Sequence, residues 1–227
     1  IIENVCKTKM LGEVEASVDL ASLRGSFEGY DPNLEKYNHI IKNIEHLDKN
    51  LFERMLKYGR RNVSWSTVAP TGTISILSGT TSGIEPLFEP FYKRRVKIFE
   101  GEADFTDVDG NKFKEFITIH QTFKKWLKVK IGLSDDQIKL LNSEELTKLF
   151  QKSPWFGSLA NDIDPLDRID ILATVQRYTT HSISSTFNLP ENVDKETISQ
   201  IYLKSYEAGL KGNTVYRENS RAGVLVK

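Results

Sequence analysis

The sequence predicts a protein of the α/β class, because helical and strand-like patterns alternate along it. Apolar residues recur at helical intervals in four segments: 1–24, 51–58, 165–178 and 197–209. Short runs rich in β-branched and aromatic residues indicate strands in three more: 63–68, 182–189 and 213–216. The sequence contains no repeat, low-complexity tract or flexible linker, and its length allows one large domain or two small ones.

The predicted elements have recognisable ends. Arg24-Gly25 ends the first helix, and the glycine, proline and asparagine of 28–38 make that stretch rich in turns. Gly59 closes the second helix, Pro165 opens the third, and Gly209 stops the fourth. These signals separate the helices from the strand-like runs.

A strongly charged block follows the middle of the chain, and we predict that 93–160 is a peripheral, mainly helical insertion. Three helices are expected in it: Lys112–Val129, Ser134–Leu141 and Ser143–Phe150. The serines that open the last two are the expected N-caps, because their hydroxyls accept a bond from the first-turn amides.

The composition excludes several classes of function. The chain has 227 residues, and its 31 Lys and Arg balance its 31 Asp and Glu, which leaves a formal net charge of zero. No broad electrostatic field would recruit nucleic acid or an anionic membrane, so neither is an expected partner. The sequence shows no run of about 18 apolar residues and no signal-like basic flank at its start, which predicts a cytoplasmic protein.

Cysteine and histidine give little support for a metal site. Cys6 is the one cysteine of the sequence, so no internal disulfide or multi-cysteine site can form, as expected in a reducing compartment. The four histidines are far apart in sequence, without ligand-like spacing: His39, His46, His120 and His181. We therefore expect no metal site.

The most informative local pattern is 69–75, Ala-Pro-Thr-Gly-Thr-Ile-Ser, which follows a predicted strand and can open a helix. Gly72 lets a ligand approach the backbone amides, and Thr71, Thr73 and Ser75 add hydroxyl donors. Such a loop can hold a phosphate group without a lysine. An ordinary strand-to-helix turn capped by Thr71 or Thr73 remains the alternative, and the lysine-containing Walker pattern is absent.

Longer motifs carry a resemblance to a family. Residues 61–77, RNVSWSTVAPTGTISIL, and 80–88, TTSGIEPLF, resemble the substrate-phosphate segment of adenosylcobalamin-dependent (class II) ribonucleotide reductases. The similarity continues, in family order, through three further segments: 92–95, 181–190 and 209–221. It therefore spans nearly the whole chain.

The resemblance implies a fold, a site and partners. The expected fold is part of a ten-stranded α/β barrel, of which this chain is the C-terminal portion. The five residues expected to bind the substrate phosphates are Pro70, Thr71, Gly72, Thr73 and Ile74. Adenosylcobalamin is the implied cofactor, with contacts mostly outside this chain. The implied partners are a ribonucleotide, an upstream half carrying Asn-x-Cys-x-Glu, and a dithiol reductant such as thioredoxin.

Four further residues have more than one possible role. Asn188 and Tyr216 are expected on strands near the substrate, with a core or strand-pairing role equally open for each. Arg217 stands where reductases that import a radical have the second of two adjacent tyrosines, which fits a radical that starts on a cobalamin. Cys6 lies in Asn4-Val5-Cys6-Lys7-Thr8, where threonine replaces the required glutamate, so we interpret it as a structural cysteine.

Three hypotheses follow for the chain as a whole. The first is a ribonucleotide reductase fragment, truncated or split, that supplies the phosphate loop but lacks the thiyl cysteine and is inactive alone. The second is a non-catalytic nucleotide-binding module or regulatory remnant, and the third is a purely structural domain. The sequence does not decide between diphosphate and triphosphate substrates.

Overall fold

The computed structural model describes residues 1–35, 37–218 and 220. Within them the α-helices are α1 (Ile2–Arg24), α2 (Pro32–Glu35), α3 (His39–Leu47), α4 (Lys49–Tyr58), α5 (Gly72–Ser78), α6 (Gln121–Trp126), α7 (Asp135–Lys139), α8 (Ser143–Phe150), α9 (Pro165–Gln176) and α10 (Lys195–Glu207). A π-helical turn, Leu127–Ile131, continues α6. The strands are β1 (Phe91–Ile98), β2 (Phe105–Thr106), β3 (Lys112–Ile119), β4 (Thr186–Leu189) and β5 (Thr214–Arg217). The end of the family-like segment 209–221, at residues 219 and 221, lies outside the described residues.

The chain divides into two compact units. Of the described residues, the first unit comprises 1–35, 37–70, 165–185 and 194–214, and the second comprises 71–164, 186–193, 215–218 and 220. The chain passes from the first unit to the second between Pro70 and Thr71.

The first unit is built around α1. Met10, Val14 and Val18 recur every fourth residue, so they form one stripe along the helix, and all three are fully buried. They pack with apolar residues of α3 and α4, among them Ile44 and Met55. Each buried side chain of this size stabilises the fold by about 1.5–3 kcal/mol, so the stripe stabilises the packing of α1 against α3 and α4.

The structure confirms the helix predicted over 51–58 but places a further helix, α3, immediately before it. Asp48 separates the two: it ends α3 in an extended conformation, and its side chain accepts a hydrogen bond from the Leu51 amide of α4. Asn38 caps α3 in the same way through the Ile40 amide. Both caps are recognisable N-terminal signals.

The strand predicted over 63–68 is wrong as a regular strand. Val68 makes one isolated parallel bridge with Ile183, and the rest of the segment carries no ladder. Side-chain bonds replace the ladder, because the Thr180 hydroxyl accepts from the amides of Trp65 and Ser66 and donates to the Ser66 carbonyl. The strand predicted over 182–189 is correspondingly shortened to β4.

A buried ion pair between Arg60 and Glu35 lies just before the segment 63–68. Arg60 is 5% exposed and Glu35 is 6% exposed, and the guanidinium donates to both carboxylate oxygens at 2.9 and 3.1 Å. The same guanidinium donates to the carbonyls of Asn62 and Val63. Because its charge and its donors are satisfied together, Arg60 can stay buried.

The second unit contains a three-stranded antiparallel sheet in the order β1-β3-β2. β1 and β3 pair along their whole length, from Phe91 opposite Ile119 to Ile98 opposite Lys112. The helix predicted over Lys112–Val129 is therefore wrong for its first eight residues, which form β3. Cross-strand contacts favour the strand: Arg95 donates to Glu115 at 2.9 Å, which pairs opposite charges across the ladder.

The interval 93–160 is thus mixed rather than mainly helical, with the sheet first and the helices after it. The helices enclose a second apolar core of five buried residues: Phe123, Leu127, Ile138, Leu146 and Phe150. Ser134 caps α7 with a capping box, as predicted. The predicted cap Ser143 is wrong, since Asn142 caps α8 and Ser143 is its first residue.

The remaining strands, β4 and β5, pair in a two-stranded sheet. The five strands of the described residues form two sheets and no closed barrel. The α/β class is confirmed, and the ten-stranded barrel stays a prediction for a complete protein. Over the described ranges, no helix is long and apolar enough to cross a membrane.

Candidate functional site

The candidate phosphate loop, Pro70–Ile74, lies at the start of α5. Thr71 is the residue that precedes the helix, with φ −115° and ψ 30°, and Gly72 to Ile74 form its first turn. These three helical residues are exposed to solvent. The prediction that the loop opens a helix is confirmed.

Thr71 occupies the N-cap position of α5, but its side chain makes no capping hydrogen bond. Its Oγ1 accepts a hydrogen bond from the Gly83 amide at 2.8 Å and lies 3.2 Å from Ser82 Oγ. Its own amide donates to Ser82 Oγ at 3.3 Å. Thr71 is therefore tied to the loop that follows α5.

The first turn of α5 leaves three amides without a partner inside the helix. The Ser75 amide makes the first intrahelical bond, to the Thr71 carbonyl at 2.7 Å, so the amides of Gly72 to Ile74 have no partner within the helix. Ser75 itself is 8% exposed, and its hydroxyl donates to the Gly72 carbonyl at 2.8 Å. The expectation that Ser75 offers a hydroxyl to an anion is wrong, and Thr73 keeps an exposed one.

Gly72 has open space around it. A Cβ added to Gly72 would meet no atom of the described residues within 4 Å, and its φ lies outside the left-handed region. The fold itself therefore does not require glycine here. A ligand that approaches the backbone would require it, because a side chain would occupy that space.

The loop after α5 is anchored at both ends. Gly79 ends the helix in the left-handed conformation, with φ 70° and ψ 30°, and an added Cβ would collide with the Gln121 side chain. The Glu85 amide donates to the Ser82 carbonyl at 3.1 Å and so closes a turn. The Glu85 carboxylate accepts from the Thr186 amide at 2.5 Å, at the first residue of β4. The glycine, proline and hydroxyl content of 78–90 predicts a long ordered loop. The structure has no helix or strand over 79–90, and Ser78 is the last residue of α5.

No role was predicted for Ser82 or Glu85 from the sequence, although both lie in the family-like segment 80–88. Their contacts join residues 11 and 101 positions apart in sequence, which local patterns do not show. Their position in the family-like segment 80–88 was the one sequence signal that could have indicated a role for them.

Asn188 and Tyr216 are both half-buried, on β4 and β5 respectively. Arg217 is exposed and donates to the Glu191 carbonyl at 3.2 Å, as expected of a satisfied residue at a strand end. A role near substrate for the first two stays a prediction.

Cys6 lies on α1 and is half-buried against the core of the first unit. Burial raises the pKa of its thiol, and the nearby Lys9 opposes that change in part. Since the thiolate is the reactive form, this environment suits a packed side chain better than a nucleophile. The described residues contain no cluster of histidine, cysteine and carboxylate side chains that could hold a metal ion.

Comparisons with known proteins show the family of the chain. A family model described as the ribonucleotide reductase barrel domain matches residues 2–216. The chain belongs to this family.

Curated relatives narrow the class. The chain is 30% identical over 161 residues to a vitamin B12-dependent ribonucleoside-diphosphate reductase of Thermoplasma acidophilum, which covers 71% of this chain and 20% of the relative. It is 29% identical over 172 residues to a reductase of the same description from Mycobacterium tuberculosis, covering 74% and 22%. A vitamin B12-dependent ribonucleotide reductase of Streptantibioticus cattleyicolor is 24% identical, covering 91% and 38%. The chain thus spans about a fifth to two fifths of these relatives' length.

Proposed function

We propose that this chain forms part of the catalytic barrel of a ribonucleotide reductase, which reduces ribonucleotides to 2′-deoxyribonucleotides for DNA synthesis. Its own contribution is the binding of substrate phosphates by Pro70, Thr71, Gly72, Thr73 and Ile74. The observation that carries the proposal is the exposed first turn of α5, inside the motif by which the chain resembles its family.

The loop would bind an anion without a charged side chain. Its donors are the amides of the first helical turn and the hydroxyls of Thr71 and Thr73. Pro70 fixes the direction from which the chain enters the turn, and Gly72 leaves room for the phosphate to reach the amides. Hydrogen bonds to a charged oxygen are stronger than neutral ones, so few donors suffice.

The relatives' names support adenosylcobalamin as the cofactor of the complete enzyme. When bound, this cofactor supplies the radical that starts the reduction. The side chains of this chain fit that source of the radical, because Arg217 follows Tyr216 and bonds to a backbone carbonyl, and a guanidinium cannot relay a radical as a phenol can. We assign no cobalamin contact to the described residues.

The remaining chemistry belongs to the proposed partners. The family's reaction needs a thiyl cysteine and a cysteine pair that supplies two electrons, and Cys6 is the one cysteine of these 227 residues. An upstream half with Asn-x-Cys-x-Glu would carry the radical, and a dithiol such as thioredoxin would restore the reduced pair. The substrate itself is a ribonucleotide.

The phosphate assignment is tested by Gly72→Val in the complete reductase. Because the added side chain has open space in the fold, we expect an intact protein whose KM for the ribonucleotide rises by more than the change caused by Thr71→Ala. Removal of one hydrogen bond weakens binding by about 0.5–1.5 kcal/mol, so Thr71→Ala sets a modest reference. Steady-state kinetics give both values.

Gly12→Val is the matched control. Gly12 is also an exposed helical glycine, on α1, whose added Cβ meets no described atom within 4 Å. Its substitution should leave KM unchanged. If Gly72→Val left KM and kcat/KM at the level of the control, with the fold intact, the phosphate assignment would be wrong.

A second test concerns Cys6. Residues 1–227 alone should form no deoxynucleotide with adenosylcobalamin, a dithiol and any ribonucleotide, because a single half-buried thiol cannot fill three redox roles. In the complete reductase, Cys6→Ala should retain turnover. Turnover by residues 1–227 that disappeared on Cys6→Ala would instead make Cys6 catalytic.

A further inference from the structure

We propose that Ser82 is a positioning residue for the phosphate loop, which donates its hydroxyl proton to Thr71 Oγ1 and thereby turns the Thr71 proton toward the phosphate. The inference rests on the proposed function of Pro70–Ile74 and assigns a task to a side chain outside those five residues. Ser82 is half-buried in the loop after α5.

The geometry brings three groups together. Thr71 Oγ1 lies 2.8 Å from the Gly83 amide nitrogen and 3.2 Å from Ser82 Oγ, where either hydroxyl can be the donor. The Thr71 amide also donates to Ser82 Oγ at 3.3 Å. Two residues of the loop thus hold both the main chain and the side chain of Thr71.

The number of protons decides what this cluster can do. A threonine hydroxyl has one proton and two lone pairs, and the Gly83 amide already occupies one lone pair of Thr71 Oγ1. If Thr71 donates to Ser82, its proton is used and cannot reach a ligand. If Ser82 donates to Thr71, the second lone pair is filled and the Thr71 proton points out of the cluster.

A bound phosphate selects the second arrangement. Ionised phosphate oxygens accept hydrogen bonds, so a proton directed at them gains a charge-assisted bond, whereas a lone pair directed at them is repelled. Ser82 then supplies the proton that Thr71 gives up toward the ligand. Because each bond in such a chain polarises the next, the Thr71 donor is strengthened as well as oriented.

The turn that carries Ser82 is held by contacts outside Pro70–Ile74. The Glu85 amide closes the turn on the Ser82 carbonyl at 3.1 Å, and the Glu85 carboxylate accepts from the Thr186 amide at 2.5 Å. Ser82 therefore does not need to be ordered when the phosphate binds. Such prior ordering is what allows a single hydroxyl to contribute to binding.

The test uses the complete reductase with a ribonucleoside diphosphate. We expect Ser82→Ala to raise KM about three- to tenfold, the effect of one hydrogen bond, with kcat changed less than twofold. Ser82→Thr keeps the hydroxyl and should restore KM. Ser158→Ala is the matched control, because Ser158 is an exposed serine that donates to the nearby Trp155 carbonyl, and it should leave KM unchanged.

The double variant Thr71→Ala with Ser82→Ala separates positioning from independent binding. If Ser82 acts through Thr71, the double variant should have the KM of Thr71→Ala alone, within about twofold. Multiplication of the two single effects would mean that Ser82 contacts the substrate itself and would overturn the proposal. Should Ser82→Ala fail to fold, Ser82→Cys keeps the size with a weak donor and should raise KM in the same direction.

The outcomes also distinguish this inference from the function on which it rests. An increase in KM with Gly72→Val but not with Ser82→Ala overturns the role of Ser82 and leaves the phosphate assignment standing. If neither variant changes KM, the phosphate assignment fails and the role of Ser82 fails with it. A lower unfolding midpoint and a lower kcat at constant KM would show a structural role and overturn the proposal.

Discussion

Two short helices of this chain, α4 and α5, use their ends and faces in opposite ways. α4 is capped by the Asp48 side chain and buries Leu51 and Met55 in the core of the first unit. α5 has no side-chain cap, and Ile76 and Leu77 are 69% and 86% exposed. The contacts of α4 stabilise the fold. In α5 the first amides have no partner within the helix, and Ile76 and Leu77 are exposed.

This difference between α4 and α5 predicts that one helix contributes to stability and the other to ligand binding. A capped start and a buried stripe stabilise a helix and leave nothing for a ligand. A start whose threonine is held by another loop, and whose next three residues are exposed, keeps donors available while the backbone stays ordered. We therefore expect substitutions in α4 to change the free energy of unfolding and substitutions at the start of α5 to change substrate binding.

The largest expected effect is that of Met55→Ala. Met55 is fully buried, so its truncation should lower the free energy of unfolding by about 2–5 kcal/mol. Leu77→Ala in α5 is the control and should change it by less than about 0.5 kcal/mol, because that side chain is exposed. Urea unfolding of residues 1–227 measures both. Equal costs would contradict the contrast between the two helices.

A smaller effect is expected at the two helix starts. Asp48→Ala removes the acceptor of the Leu51 amide and should lower the free energy of unfolding by about 1 kcal/mol. Thr71→Ala should cost less stability, since its side chain caps nothing in α5, and should instead raise KM. Thermal unfolding and steady-state kinetics on the same pair of variants test the contrast. It is contradicted if Thr71→Ala lowers stability as much as Asp48→Ala and leaves KM unchanged.

The comparison also shows what a sequence pattern can predict. The long helix α1 follows from the four-residue spacing of Met10, Val14 and Val18, and α5 follows from the Pro-Thr-Gly-Thr start. Both are local signals. The loop 78–90 was predicted from its glycine and proline content, and the family from motifs spread along the chain.

Features that depend on distant partners were missed. β3 was predicted as part of a helix over Lys112–Val129, while the pairing with β1 that makes it a strand is not local. The run 63–68 has strand composition, but its amides at Trp65 and Ser66 donate to the Thr180 hydroxyl instead of to a neighbouring strand. The role inferred for Ser82 likewise depends on a contact with Thr71, 11 positions away.

The start of α7 can be compared with those of α4 and α5, because it carries an ion-paired carboxylate. Asp135 is the first residue of α7 and accepts hydrogen bonds from Lys128 and Lys124, at 2.7 and 2.9 Å. These two bonds, first that of Lys128 and then that of Lys124, lower the pKa of the Asp135 carboxyl from 3.8 to about 2. Like α4, this helix uses its N-terminus for stability.

The last and smallest expected effect is the pH dependence that this carboxylate causes. Because its pKa is lower in the folded state, Asp135 stabilises the fold above about pH 4, and that contribution is lost as the pH falls through about 2. The unfolding midpoints of the wild type and Asp135→Asn should therefore differ at pH 7 and converge near pH 2. Asp136→Asn, which removes an 89% exposed carboxylate paired with Lys139, should produce a smaller difference. Added salt should reduce the Asp135 effect, since the pair lies at the surface. An Asp135 carboxyl that titrates near pH 3.8 by NMR would contradict the bonds to both lysines.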